Sequence, residues 1–195
     1  MQKRILANDG IEADGKSALE AAGFTVETNK VEQGDLVNAL KNFEILIVRS
    51  ATKVRKDLID ACPNLKIVAR GGVGMDNIDV EYARSKGIQV INTPNASSRA
   101  VAELAMAHMF SLSRLLHQAN SQMRDDASDF NALKKKNADG TQLFGKTLGI
   151  VGFGRIGQEL AKMAIGIGMK VIAVDPLLSN VSLKFNLNGN EFSID

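Results

Sequence analysis

Three glycines spaced G-x-G-x-x-G, Gly152, Gly154 and Gly157, follow the apolar pair Ile150-Val151 and open a helical segment. A second apolar run, Val171 to Val174, ends on Asp175, 18 residues past Gly157. Strand, glycines, helix, strand and acid in this order make one βαβ half of a dinucleotide site. Gly152 turns the chain out of the strand, Gly154 lets backbone approach a pyrophosphate, and Gly157 lets helix and sheet pack closely. The helix opening at Arg155-Ile156 aims free N–H groups and the positive end of its dipole at phosphates. Asp175 stands where a carboxylate accepts hydrogen bonds from both hydroxyls of an adenosine ribose. Its charge opposes a 2′-phosphate, so the pattern selects NAD over NADP.

A second group of residues suits a small anion. Gly72-Val73-Gly74 follows the short apolar strand Ile67 to Ala69, and a glycine turn at a strand's C-terminal end exposes amides where such sheets bind ligands. Arg49 closes the strand Ile45 to Val48, with Ser50 and Lys53 beside it. Arg49 either binds an anion bidentately or makes a structural ion pair, and the glycines either serve that anion or form an ordinary turn.

Other chemistries find little support. Cys62 is the only cysteine among 195 residues, which excludes an internal disulfide or a Cys-based zinc site and suits a reducing cytoplasm. His108 and His117 are nine positions apart, which on one helix puts them on opposite faces and excludes a metal pair there. His108 reads as a packed or interface histidine. The net charge is +2 and the basic run Lys134 to Lys136 has no aromatic neighbours, so it reads as a solvated face and no nucleic-acid partner is expected. No apolar stretch approaches the ~18 residues of a membrane span, and the N-terminus lacks a signal core, so no membrane partner or export is expected.

The elements that position these residues alternate regularly. Strands at Arg4 to Ala7, Phe24 to Val26, Ile45 to Val48, Ile67 to Ala69 and Val90 to Ile91 are separated by helical patterns at Ala13 to Ala22, Asp35 to Leu40, Leu58 to Ala61 and Val80 to Ser85. This predicts an α/β, flavodoxin-like parallel sheet over residues 1 to about 95. Asn92-Thr93-Pro94 punctuates the chain, and Ser97 or Ser98 caps a helix. Val101, Leu104, Ala105, His108, Met109, Leu112 and Leu115 extend that helix over about twenty residues at helical spacing, long enough to lead from one domain to the next. Met123 to Gly140 reads as a polar surface connection with about one helical turn. Residues 96 to 195 thus hold this helix and the first part of a Rossmann domain. Beyond Asp175-Pro176, Val181, Leu183, Phe185 and Leu187 alternate, Asn188-Gly189 favours a type I′ turn, and Phe192 and Ile194 alternate again. This predicts a β-hairpin pairing Phe185 with Phe192 and Leu183 with Ile194.

The ordered series Arg49-Ser50-Ala51-Thr52-Lys53-Val54, Gly72-Val73-Gly74-Met75-Asp76-Asn77-Ile78-Asp79, Asn92-Thr93-Pro94, Val101-Ala102-Glu103 and Gly145-Lys146-Thr147-Leu148-Gly149 resembles the D-isomer-specific 2-hydroxyacid dehydrogenases. The resemblance implies two α/β domains with a cleft between them, hydride transfer between NAD and C2 of an anionic 2-hydroxy acid, and a homo-oligomer, dimer or tetramer. It implies that Gly72-Val73-Gly74 clamps the substrate carboxylate, that Val73 also lies near the nicotinamide, and that Arg49, Ser50 and Lys53 serve the substrate. It implies 3-phosphoglycerate as substrate, with glycerate, glyoxylate or another D-2-hydroxy acid as the alternative. A non-catalytic NAD-binding module similar to corepressors of this fold is the reading from another class. The family's catalytic arginine, acid and histidine follow the second half of the nucleotide domain. The resemblance therefore places no catalytic residue within this chain, and implies a longer enzyme of which these residues alone are inactive.

Overall fold

The computed structural model describes residues 3–124, 129–178, 183–187 and 190–194. The chain divides into two compact units, Met1–Ala96 and Ser97–Asp195.

In the first unit the elements are β1 (Arg4–Ala7), α1 (Ala13–Ala21), β2 (Thr25–Glu27), α2 (Leu36–Leu40), β3 (Ile45–Val48), α3 (Lys56–Ala61), β4 (Ile67–Arg70), α4 (Val80–Ser85) and β5 (Gln89–Asn92). The sheet order is β2-β1-β3-β4-β5, parallel throughout, the doubly wound flavodoxin-like arrangement. Strand side chains alternate between faces. Leu6, Leu46, Val48, Val68 and Val90 meet Leu36 and Leu40 of α2, Leu58 and Ile59 of α3 and Ala83 of α4 in the main core. The opposite face buries Ile5, Val26 and Ile45 with Leu19 of α1. Burial on both faces explains the unbroken apolar run of β3.

In the second unit follow α5 (Ser98–Ser113), α6 (Leu116–Gln122), α7 (Phe130–Lys136), β6 (Thr147–Val151), α8 (Arg155–Gly166), β7 (Lys170–Val174), β8 (Leu183–Leu187) and β9 (Asn190–Ile194). β6 and β7 pair in parallel across α8, giving the βαβ half of a Rossmann fold. One sheet face packs Leu148, Ile150, Val171 and Ala173 with Phe153, Leu160 and Ala161. The other leaves Val151, Ile172 and Val174 at 91%, 68% and 61% exposure. β8 and β9 pair antiparallel with Leu183 opposite Ile194 and Phe185 opposite Phe192, the register expected from the alternation. Val181 and the Asn188-Gly189 turn lie outside the described residues.

The twenty-residue helix is corrected. α5 stops at Ser113, and Leu115 takes a left-handed conformation with φ 54° before α6 begins. The Ser113 carbonyl, which a continuous helix would give to the amide of His117, accepts the amide of Thr141 at 2.7 Å. The Ser113 hydroxyl also bonds back to the Phe110 carbonyl at 3.2 Å, a competition that weakens helices locally. His108 and His117 thus sit on separate helices, and the single-helix argument about their faces does not apply. Neither Ser97 nor Ser98 caps α5: Ser97 makes no side-chain cap bond and the Ser98 hydroxyl is buried without a partner. The connection after Met123 is more ordered than one turn. α7 has seven residues, capped by Asp129, whose side chain accepts the Asn131 amide at 2.8 Å.

Candidate cofactor and anion sites

The glycine turn is built by three different requirements. Gly152 has φ 93°, where a side chain is strained, and its amide donates to the Val174 carbonyl at 2.8 Å, tying the turn to β7. A Cβ on Gly157 would run into the Gly152 carbonyl and Ile150, so this glycine sets the approach of α8 to β6. A Cβ on Gly154 would meet nothing within 4 Å. That open space lies at the N-cap of α8, which makes no side-chain cap bond, so the first helical amides remain free for an anion. Arg155 and Ile156 are exposed beside them.

Asp175 is half-buried and already engaged. Its Oδ2 accepts the Phe153 amide at 2.7 Å and its Oδ1 accepts the Leu177 amide at 2.9 Å. Each carboxylate oxygen has a second lone pair, which leaves capacity for ribose hydroxyls. Phe153, between the first two glycines, is buried against Ile150 and Ala161. Its anchoring role was not read from the sequence, although an aromatic residue inside a glycine motif is the signal for it. These groups fit the adenosine and pyrophosphate end of a dinucleotide.

In the first unit a cavity of about 420 Å3 opens at the C-terminal ends of β3, β4 and β5, walled by Ile47, Ala69 and Ile91 with Arg49, Arg70 and Glu12 among its polar lining. Among the described residues the Arg49 guanidinium makes no ion pair or hydrogen bond, so the structural ion pair is absent. Arg70 was missed in the sequence reading, because the last residue of β4 lay beyond the strand's apolar run. Its Nε is buried without a partner, and its guanidinium packs where a Cβ on Gly72 would stand. Gly72 therefore makes room for Arg70.

Gly71 lines the cavity, and Gly72, the first residue of Gly72-Val73-Gly74, lies against the Arg70 guanidinium. The Gly72 carbonyl accepts the Thr93 amide at 3.1 Å and the Val73 carbonyl accepts Asn92 Nδ2 at 2.7 Å. The Gly72 amide donates to the Arg70 carbonyl at 3.0 Å, while among the described residues the amides of Val73 and Gly74 have no acceptor and remain available. Ser50 is exposed next to Arg49. Lys53 lies away from the cavity, its amide and carbonyl both bonded to the Gln33 side chain at 3.0 and 2.9 Å. His108 and His117 are both exposed, so His108 is not a packed histidine. Among the described residues no cluster of His, Cys, Asp and Glu could hold a metal ion. No helix among them is long and apolar enough to cross a membrane.

Residues 5–144 match the model of the D-isomer specific 2-hydroxyacid dehydrogenase catalytic domain, and residues 106–193 match that of its NAD binding domain. The chain belongs to the D-isomer-specific 2-hydroxyacid dehydrogenase family, and its cofactor is NAD. It is 44% identical over 174 residues to a hydroxypyruvate reductase of Thermotoga maritima, covering 89% of this chain and 55% of the relative. It is 41% identical over 175 residues to a D-3-phosphoglycerate dehydrogenase of Methanocaldococcus jannaschii, covering 90% of this chain and 32% of the relative. Among solved structures it is similar to an NAD+-bound 3-phosphoglycerate dehydrogenase of Entamoeba histolytica, with TM-score 0.70 and 29% identity, over 92% of this chain and 56% of that one. The chain thus spans about a third to a little over half of the relatives it matches.

Proposed function

We propose that this chain is part of an enzyme that oxidises 3-phosphoglycerate to 3-phosphohydroxypyruvate, an entry step toward serine. The hydride leaves C2 for NAD+ and the hydroxyl proton is released. The observation that carries this reading is the pair Arg49 and Arg70 at one cavity: neither guanidinium has an anionic partner among the described residues, and the Arg70 Nε is buried and unbonded. A buried guanidinium edge without an acceptor is costly unless a ligand supplies one. A phosphate offers the oxygens that two arginines match. The free amides of Val73 and Gly74 suit the carboxylate, and exposed Ser50 follows Arg49 directly in the chain.

The second reading is an unphosphorylated substrate such as glycerate or hydroxypyruvate, favoured by the 44% identity to a hydroxypyruvate reductase. The test compares kcat/KM for 3-phosphoglycerate and D-glycerate with NAD, using the protein from its natural source. Preference for the phosphorylated acid supports the first reading, and preference for D-glycerate overturns it.

A homo-oligomer is part of the proposal. α5 exposes Val101, Leu104 and Leu112, the last two at 57% and 77%, which is an apolar stripe of the kind a second copy covers. Light scattering that gives a monomer mass at micromolar concentration would remove this element.

A further inference from the structure

The loop that carries Arg49 is fixed from two sides by residues outside the cavity lining. Asp9 follows β1; its Oδ2 accepts the amides of Arg49 at 2.7 Å and Thr52 at 3.1 Å, and its Oδ1 accepts the Thr52 hydroxyl at 2.7 Å. Asn77, buried, donates Nδ2 to the carbonyls of the same two residues, Arg49 at 3.0 Å and Thr52 at 2.7 Å. Arg49 and Thr52 therefore have both backbone groups tied, the amide by Asp9 and the carbonyl by Asn77. Just beyond, Val54 bridges to Ile78 in parallel fashion, so the loop is anchored on its far side too.

The chemistry of this clamp requires a carboxylate. The Thr52 hydroxyl already accepts Asn8 Nδ2 at 2.8 Å, so its proton goes to Asp9, and three donors converge on one acceptor-only group. An asparagine at position 9 would present an N–H to one of those donors. The carboxylate bonds to the Arg49 backbone and not to its guanidinium, so the cationic side chain is placed without being neutralised.

We propose that Asp9 and Asn77 are positioning residues for the anion site, holding the Arg49–Thr52 backbone so that the guanidinium meets a carboxylate or phosphate already oriented. The inference rests on Arg49 being an anion-binding residue. Ordering the loop beforehand removes an entropy cost that binding would otherwise carry.

The test is a titration of 3-phosphoglycerate into the 15N-labelled chain at neutral pH, following the amides of residues 49–52 and 72–74. Asp9→Asn and Asn77→Ala each raise Kd at least about tenfold, because preorganisation and its hydrogen bonds are worth more than ~1.4 kcal/mol in binding. Thr52→Val, which removes one of the three bonds to Asp9 and spares the amides, raises Kd by a smaller factor and covers the case in which Asp9→Asn does not fold. Leu40→Ala, a truncation in the core of α2, lowers thermal stability but leaves Kd within about twofold, which separates positioning from general destabilisation. Wild-type binding with unchanged Kd in the Asp9, Asn77 and Thr52 variants overturns the inference. Absence of binding by the wild type overturns the anion-site reading instead. In that case hydrogen exchange of the Arg49 and Thr52 amides decides the clamp: acceleration in Asp9→Asn supports it and an unchanged rate refutes it.

Discussion

Asp175 Oδ2 accepts the amide of Phe153 at 2.7 Å, so the acid at the end of β7 also fixes the middle of the Gly152-Phe153-Gly154 turn. If Asp175 meets the ribose and the glycine turn the pyrophosphate, as proposed, the two ends of the cofactor site are mechanically joined. Replacing Asp175 by alanine leaves the Phe153 amide unpartnered and costs about 1–3 kcal/mol of stability. It also raises the NADH Kd at least tenfold. Asp175→Asn keeps an acceptor for the amide but loses the charge, so it narrows the preference for NADH over NADPH. Urea unfolding and NADH fluorescence titration check both.

The three glycines should separate by assay. Gly157→Ala drives a Cβ into the Gly152 carbonyl, and because that neighbour is backbone it costs about 1–3 kcal/mol. Gly154→Ala enters open space and changes stability by under about 0.5 kcal/mol, yet it obstructs the pyrophosphate and weakens NADH binding about tenfold or more. Equal stability losses in the two variants would contradict the assignment.

Acid should loosen the Arg49 loop before it unfolds the sheet. Burial raises the Asp9 carboxyl, but hydrogen bonds from the Thr52 hydroxyl and the amides of Thr52 and Arg49 outweigh it and hold the pKa below the ordinary 3.8. A depressed native pKa contributes stability in full above the unfolded value, and this is lost as pH falls through the native one. Amide shifts of residues 49–52 should therefore titrate below about pH 4 in the wild type and lose that step in Asp9→Asn.

Two apolar substitutions should behave in opposite ways. Leu46→Ala, in the centre of the first sheet with 0% exposure, costs about 2–5 kcal/mol. Ile172→Thr, on the uncovered face of β7, changes stability by no more than about 0.5 kcal/mol and reduces self-association of this chain. Denaturant midpoints and light scattering measure the two effects.

The sheet of the first unit was legible because each strand is a short apolar run closed by a turn and followed by a helical pattern, as in Ile45–Val48 before Lys56–Ala61. The hairpin register was legible for a similar local reason: alternation on both sides of a two-residue turn leaves one pairing that keeps Phe185 with Phe192. The break in α5 was not, since it depends on Thr141 capturing the Ser113 carbonyl from 28 residues away. The periodic stripe at Val101, Leu104 and Leu112 was read correctly as helical, but period alone does not say which face is buried. The buried face carries Ala102 and Met106 instead. In the candidate sites, the glycine spacing made the turn between β6 and α8 legible directly. Arg70 and Asp9 lie at strand ends and Asn77 in the loop after β4, brought together by the sheet, and no spacing along the chain reveals that.

In the proposed enzyme, Arg49 and Arg70 together read the phosphate of the substrate. Its most direct test is the ratio of kcat/KM for 3-phosphoglycerate to that for D-glycerate, measured in the natural enzyme and in Arg70→Gln. Loss of one charged hydrogen-bonding partner, worth roughly 1.5–3 kcal/mol, should lower the ratio at least about tenfold, with the rate on D-glycerate nearly unchanged. A ratio that is the same in both proteins would mean that Arg70 does not read the phosphate.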